Sequence, residues 1–211
     1  MSTTPSPSGW EIPNSDAQDF SFTSSVGGVT SLSDQALKIS ATSTPRPIII
    51  PTASTGGIEQ TRIEFAAKCR PGNAVGVGIV FAYQDINNYL MAEQGFDGNS
   101  NSIEGLRVFK NVNSSSTQLD SGFSLGLDPA NQWLDIRFQV FRPTSTEIEV
   151  RSSAAKHGET YQSLGSFTYE NSALPFTVGD VGISGGRYAT GRFGVDGDPV
   201  GGGRPIKMHW P

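Results

Sequence analysis

The sequence predicts an all-β protein, a single antiparallel β-sandwich or barrel. Short runs of alternating apolar and polar residues recur along the chain, at the period of a strand with one buried face. Clusters of Gly, Pro, Asn, Asp and Ser interrupt them at intervals of roughly 8–20 residues. No run of about ten residues carries the stripe of an amphipathic helix. About ten to twelve strands result, and 211 residues suit one domain of that architecture.

In chain order, Ala17–Thr23 and Ala36–Ala41 are the weakest candidates. Ile58–Lys68 places Ile63, Phe65 and Ala67 on one face and Arg62, Glu64 and Ala66 on the other. Ala74–Tyr83 is an almost unbroken small or apolar run, the pattern of a central strand buried on both faces. A turn at Gln84–Asn88 leads to Tyr89–Gln94. Gly105–Val112 and Thr117–Ser121 read as a hairpin around Asn113-Ser114-Ser115-Ser116. Gln132–Phe141 is the clearest strand, with Leu134, Ile136, Phe138 and Val140 inward and Asp135, Arg137 and Gln139 outward. After Arg142-Pro143-Thr144-Ser145, Thr146–Arg151 alternates again, Ile148 and Val150 inward and Glu147, Glu149 and Arg151 outward. Gly179–Ser184 and Ile206–Trp210 are read as closing strands. Residues 17–193 form the sandwich, 1–16 an extended arm, and 194–211 a Gly-rich segment.

Composition narrows the function. The 15 Lys and Arg against 20 Asp and Glu give a net charge of −5 without a basic cluster, which argues against nucleic acid and anionic membrane surfaces as partners. Two His and one Cys leave little for zinc, haem or iron–sulfur ligation, and Cys69 alone forms no internal disulfide. The start of the chain carries neither a basic n-region nor an apolar h-region, and the longest clean apolar run is Ile48-Ile49-Ile50 between prolines, far short of a membrane span. The expectation is cytoplasmic synthesis without a signal peptide. The sequon Asn113-Ser114-Ser115 matters only in a eukaryotic secretory pathway.

Several segments together carry a resemblance: Val77–Tyr83 running into Gln84-Asp85-Ile86-Asn87-Asn88-Tyr89, then Gly105–Lys110, Gln132-Trp133-Leu134-Asp135-Ile136-Arg137-Phe138, Ile148-Glu149-Val150 and Gly179-Asp180-Val181-Gly182-Ile183. Over roughly residues 55–200 the chain resembles the concanavalin A-like superfamily, and within it the laminin G-like jelly rolls. Gln132 stands where that group often has Gly, and Phe193-Gly194-Val195-Asp196 displaces its closing Phe-Asp. The resemblance implies a jelly-roll sandwich; Trp133, at the start of the clearest amphipathic strand, is expected to cover a core edge. Because laminin G-like domains often bind calcium, it also implies Asp85, Asn87 and Asn88, or Asp196 and Asp198, as oxygen ligands. Calcium wants six to eight oxygens, several of them carboxylates, and neither cluster has more than two. Turn formation is the first expectation for both, so no cofactor is expected and Ca²⁺ is the only one to consider.

Glycosidases of that superfamily carry Glu-x-Asp-x-x-Glu on one strand, and no such string occurs here. Glu147 and Glu149 share a face expected to be solvated. Glu93, Asp97 and Glu104 flank a Gly/Asn loop and are candidates to meet. Gly182-Ile183-Ser184-Gly185-Gly186 matches Gly-x-Ser-x-Gly, yet no helix follows to make an elbow, and neither His157 nor His209 lies in a recognisable setting as a base. For glycan recognition, Tyr188 with Arg187 and Arg192, and Phe96 with Asn99 and Asn101, combine an aromatic platform with polar groups; Tyr161 near His157 is a further aromatic.

Residues 1–9, almost wholly Ser, Thr, Pro and Gly, and the Gly-rich 194–205 bury little apolar surface by themselves. Such segments are ordered when neighbours hold them, so Trp10 and Ile12 at one end and Met208 and Trp210 at the other are the expected assembly contacts. The sequence thus points to a non-enzymatic structural or attachment protein of a larger assembly, such as a phage virion decoration or tail-surface protein. Its partners are then other subunits, its own copies among them. A free carbohydrate-binding module is the alternative, and a glycoside hydrolase-like enzyme stands behind both.

Overall fold

The computed structural model describes residues 10–11, 20–23, 36–40, 48–51, 62–69, 77–97, 102–122, 125–127, 134–156, 158–185 and 190–194. These hold fourteen strands: β1 Trp10–Glu11, β2 Phe20–Thr23, β3 Ala36–Ser40, β4 Ile48–Pro51, β5 Arg62–Cys69, β6 Val77–Asp85, β7 Asn88–Asp97, β8 Ser102–Val112, β9 Ser115–Ser121, β10 Leu134–Phe141, β11 Glu147–Lys156, β12 Gln162–Glu170, β13 Asp180–Gly185 and β14 Thr190–Gly194. One turn of 3₁₀ helix, Asn171–Ala173, is the only other regular element among the described residues. No helix there is long and apolar enough to cross a membrane.

The strands form two seven-stranded antiparallel sheets. The first runs β1-β4-β13-β6-β7-β8-β9 and the second β12-β11-β10-β5-β14-β3-β2. Chain neighbours are mostly not sheet neighbours outside the hairpins, which makes this a jelly-roll sandwich rather than a meander.

The inner faces meet in one core. Along β10, Leu134, Ile136, Phe138 and Val140 are fully buried and alternate with half-buried polar residues. On β5, Ile63, Phe65 and Ala67 stand opposite Val140, Phe138 and Ile136, as their alternation predicts. Ile79, Phe81, Leu90, Ala92, Leu106 and Val108 close the core from the first sheet. Burying a side chain the size of Phe138 stabilises by about 1.5–3 kcal/mol, so this interdigitated layer dominates the stability. Tyr169 of β12 donates from Oη to Asp120 of β9 at 2.9 Å, pinning the two sheet edges together. Burial and the Asp120 charge both push the phenol above its ordinary range.

The outer faces differ from each other. Ile48, Ile50, Val80, Tyr89, Met91 and Phe109 form a second buried apolar cluster on the outside of the first sheet. This explains why β6 reads as unbroken apolar sequence: Ile79 and Phe81 face one cluster and Val80 the other. Outside the second sheet, Arg137 and Gln139 are half-buried, and Arg151, Ser166 and Thr168 are exposed.

Four strands were not legible as such. Trp10–Glu11 and Thr190–Gly194 are short, and Ile48–Pro51 ends on a proline. Gln162–Glu170 loses its alternation at a register shift opposite Ser152/Ser153, where Gly165 adopts φ +147°. Leu164 before the shift and Phe167 and Tyr169 after it all pack on the core, a spacing that no period-2 template matches. Trp133 and the expected strand Ile206–Trp210 lie outside the described residues.

Candidate functional site

The polar exception on the apolar outer face of the first sheet lies where β7 and β8 approach their connecting loop. Continuing the face that Tyr89 and Met91 occupy, period 2 brings Glu93 outward, opposite Arg107 on β8 and Gly78 on β6. Arg107 Nη2 donates to Glu93 Oε1 at 2.6 Å and Nη1 to Glu104 Oε2 at 2.8 Å. Glu93 is almost fully enclosed, with 2% of its side chain exposed, against 25% for Arg107 and 41% for Glu104.

Two glycines make the approach possible. A Cβ on Gly95 would come 2.5 Å from Glu104 Oε2 and 2.7 Å from Arg107 Cζ, so the ion network lies flat on that backbone. A Cβ on Gly78 would come 2.6 Å from the Ala92 carbonyl oxygen, which leaves room for Glu93 only because it is absent. Gly105, at φ +95°, and the register shift at Gly95/Phe96 bring Glu104 to the side of Arg107, though residues three apart on a regular strand face opposite ways.

The sequence marks Glu93 and Glu104 as candidates to meet, and the structure joins them through Arg107, which the sequence reading did not single out. Only the strand register, Glu93 opposite Arg107, would have revealed it. Asp97, the third candidate, closes β7 opposite Ser102. Glycosidase chemistry needs two carboxylates in contrasting environments, one kept protonated and one ionised. Glu93 and Glu104 instead share one cation. The arrangement engages both terminal nitrogens of Arg107 and leaves the exposed part of Glu104 as a held acceptor.

Of the calcium candidates, Asp85, Asn87 and Asn88 are brought together in the turn expected of them. Asp85 Oδ1 accepts from the Asn87 N–H at 2.7 Å, and both its oxygens accept from Asn88 Nδ2 at 3.0 and 2.9 Å. Asn88 Oδ1 accepts from the Asn113 N–H, and Asn87 Oδ1 from the Ser114 hydroxyl at 2.6 Å. This is an Asx turn braced against the β8–β9 turn, where Asn113 and Ser114 both take positive φ. The Asn88 amide and then the Asn87 N–H hold the Asp85 carboxyl below its ordinary value. Among the described residues no three of Asp, Glu, His and Cys converge as a metal site would require.

Of the remaining candidates, Phe96 lies in β7 opposite Ile103, Arg192 in β14 opposite Lys38, and Trp10 in β1 opposite Pro51. Ile12, Asn99, Asn101, His157, Arg187, Tyr188, Asp196, Asp198, Met208, His209 and Trp210 lie outside the described residues. Ser184, the centre of the Gly-x-Ser-x-Gly match, is a buried residue of β13, 1% exposed, and no nucleophile elbow.

One expectation is corrected. Glu149 does sit on the outer face of β11, but it is only 9% exposed and not solvated. Arg151 Nε donates to its Oε1 at 2.5 Å and the Ser166 hydroxyl donates to the same oxygen at 2.6 Å. The Arg151 hydrogen bond, then that from Ser166, outweighs burial and holds the carboxyl below its ordinary value. Glu147, half-buried, accepts from Thr144 Oγ1 at 2.9 Å.

No protein-family model matches the sequence, and no curated relative matches it. Among solved structures, the fold is similar to the PL-14 alginate lyase from Aplysia kurodai, with a TM-score of 0.51 at 13% identity over 84% of this chain and 85% of that one. It is also similar to an engineered GH43 glycoside hydrolase with endo-xylanase and exo-arabinofuranosidase activity, with a TM-score of 0.50 at 14% identity over 90% of this chain but 39% of that one. At these identities the likeness is one of fold, a jelly-roll β-sandwich.

Proposed function

We propose that the chain is a non-catalytic, carbohydrate-recognising sandwich that serves attachment within a larger assembly. The observation that carries this reading is the sharing of Arg107 by Glu93 and Glu104. A carboxylate pair tied to one guanidinium is poorly arranged to divide acid and nucleophile roles, while the exposed edge of Glu104 offers fixed acceptors to sugar hydroxyls. Phe96, Asn99 and Asn101 adjoin this network in sequence and are of the aromatic and amide types that sugar sites combine. That the similar folds include an alginate lyase and a glycoside hydrolase supports a polysaccharide ligand by analogy of fold alone.

The assembly part of the proposal rests on the composition of residues 1–9 and 194–205, which suits contact segments held by neighbours, as on a virion surface. A panel of soluble polysaccharides in native affinity gels tests the recognition part. The wild type is expected to be retarded by at least one glycan, and Glu104→Gln and Phe96→Ala to weaken that retardation about tenfold, the cost of one lost charge-assisted bond or stacking contact. A chain that no glycan retards, yet that co-purifies with other subunits through residues 1–9 and 194–211, would leave attachment through protein contacts alone.

A further inference from the structure

The outer face of the second sheet holds an arginine in an arrangement opposite to that of Arg107. Arg151 keeps half of its side chain exposed. Its Nε is fixed on Glu149 and its Cζ sits 4.7 Å above the centre of the Phe141 ring. Among the described residues neither Nη1 nor Nη2 has a partner. Glu149 itself cannot swing aside, because it is nearly buried and takes a second hydrogen bond from Ser166. The guanidinium plane is therefore set by a ring below and a carboxylate at one edge, while half of the side chain stays exposed before any ligand arrives. The terminal edge matches the two oxygens of a carboxylate, and the entropy of ordering a long side chain is already spent.

We propose that Arg151 anchors a binding site, separate from the β7–β8 network, for the carboxylate of a uronic acid residue in an acidic glycan. Its surroundings favour a sugar over an acidic peptide. Register places Gln139 of β10 and Ser166 of β12 directly opposite Arg151, with Ser153 next along the same face of β11 and Thr168 beside Ser166. The hydroxyls of Ser153 and Thr168 suit sugar hydroxyls better than apolar peptide side chains. The ion pair with Glu149 offsets the charge of Arg151, and a polymer gains over a single uronate by presenting many copies.

Native gels containing polygalacturonate, with a fully methyl-esterified polymer of the same backbone as control, test the site. The wild type is expected to be retarded by the free acid and not by the ester. Arg151→Gln should weaken binding about tenfold or more, the loss of one charge-assisted pair, and Arg151→Lys should fail to restore it because an ammonium lacks both the fork and the stacked plane. Both variants are checked by thermal melting, and since the residue is half-exposed they should fold as the wild type does. Retention of Arg151→Gln like the wild type, equal retardation by the ester, or no retardation of the wild type would each overturn the proposal. Polyglutamate displacing the protein as well as oligogalacturonate does would overturn the commitment to a sugar.

Discussion

Arg107 and Arg151 sit on the outer faces of opposite sheets and are used in opposite ways. Arg107 spends both terminal nitrogens on Glu93 and Glu104, while its Nε is buried and without a partner among the described residues. Arg151 spends Nε on Glu149 and keeps its terminal edge free. The surroundings explain the contrast. The first sheet carries an apolar cluster on its outer face, so the charge of Glu93 on that face must be neutralised locally. On the described part of the second sheet's outer face Glu149 also accepts from Ser166, and one side of the Arg151 guanidinium stays open. The same residue type closes one surface and presents the other.

The largest expected effect of breaking this contrast is on stability. Arg107→Ala leaves Glu93 enclosed without its guanidinium and should cost about 3–5 kcal/mol in urea unfolding; replacing Glu93 and Arg107 together by Met should recover most of that. A loss below about 1 kcal/mol for Arg107→Ala would mean that the network is solvated after all. Gly78→Ala should cost about 1–3 kcal/mol, because the new methyl meets the Ala92 carbonyl oxygen, a backbone atom that cannot rotate away. Arg151→Ala leaves the nearly buried Glu149 with the Ser166 hydrogen bond alone and should cost about 1–2 kcal/mol, less than Arg107→Ala because one partner remains.

The smallest effect is a pH dependence. The folded-state pKa of Glu149 lies below its ordinary value of 4.5, so its contribution to stability is fully present above that pH and is lost as the pH falls through the depressed value. Acid unfolding followed from pH 6 to pH 2 should be shallower in Glu149→Gln at the acid end and unchanged above pH 5. A difference confined to neutral pH would contradict the assignment.

How much of this was legible in the sequence follows from where period 2 survives. β10 reads directly from Leu134, Ile136, Phe138 and Val140, and β6 from its unbroken apolar run, because neither burial pattern is interrupted on those residues. β12 was hidden by one register shift at Gly165. The Asx turn at Asp85 was legible because Asp, Asn and Asn at fixed short offsets make their bonds locally. The Glu93–Arg107–Glu104 network was half legible: carboxylates flanking a loop can be seen in a sequence, but their cation is set by inter-strand register and by φ +95° at Gly105. Glu149 was misjudged because alternation tells which face a side chain takes and not whether its neighbours cover it. Arg151 and Ser166, which cover it, meet it across strands.

The network on the first sheet is proposed to recognise carbohydrate without cleaving it. The most direct measurement follows one protein sample on the polysaccharide that retards it most, recording retention together with new reducing ends and new unsaturated products. Retention without either product, and loss of retention in Glu104→Gln, is the predicted result. Product that accumulates with the wild type and disappears in Glu93→Gln would contradict it.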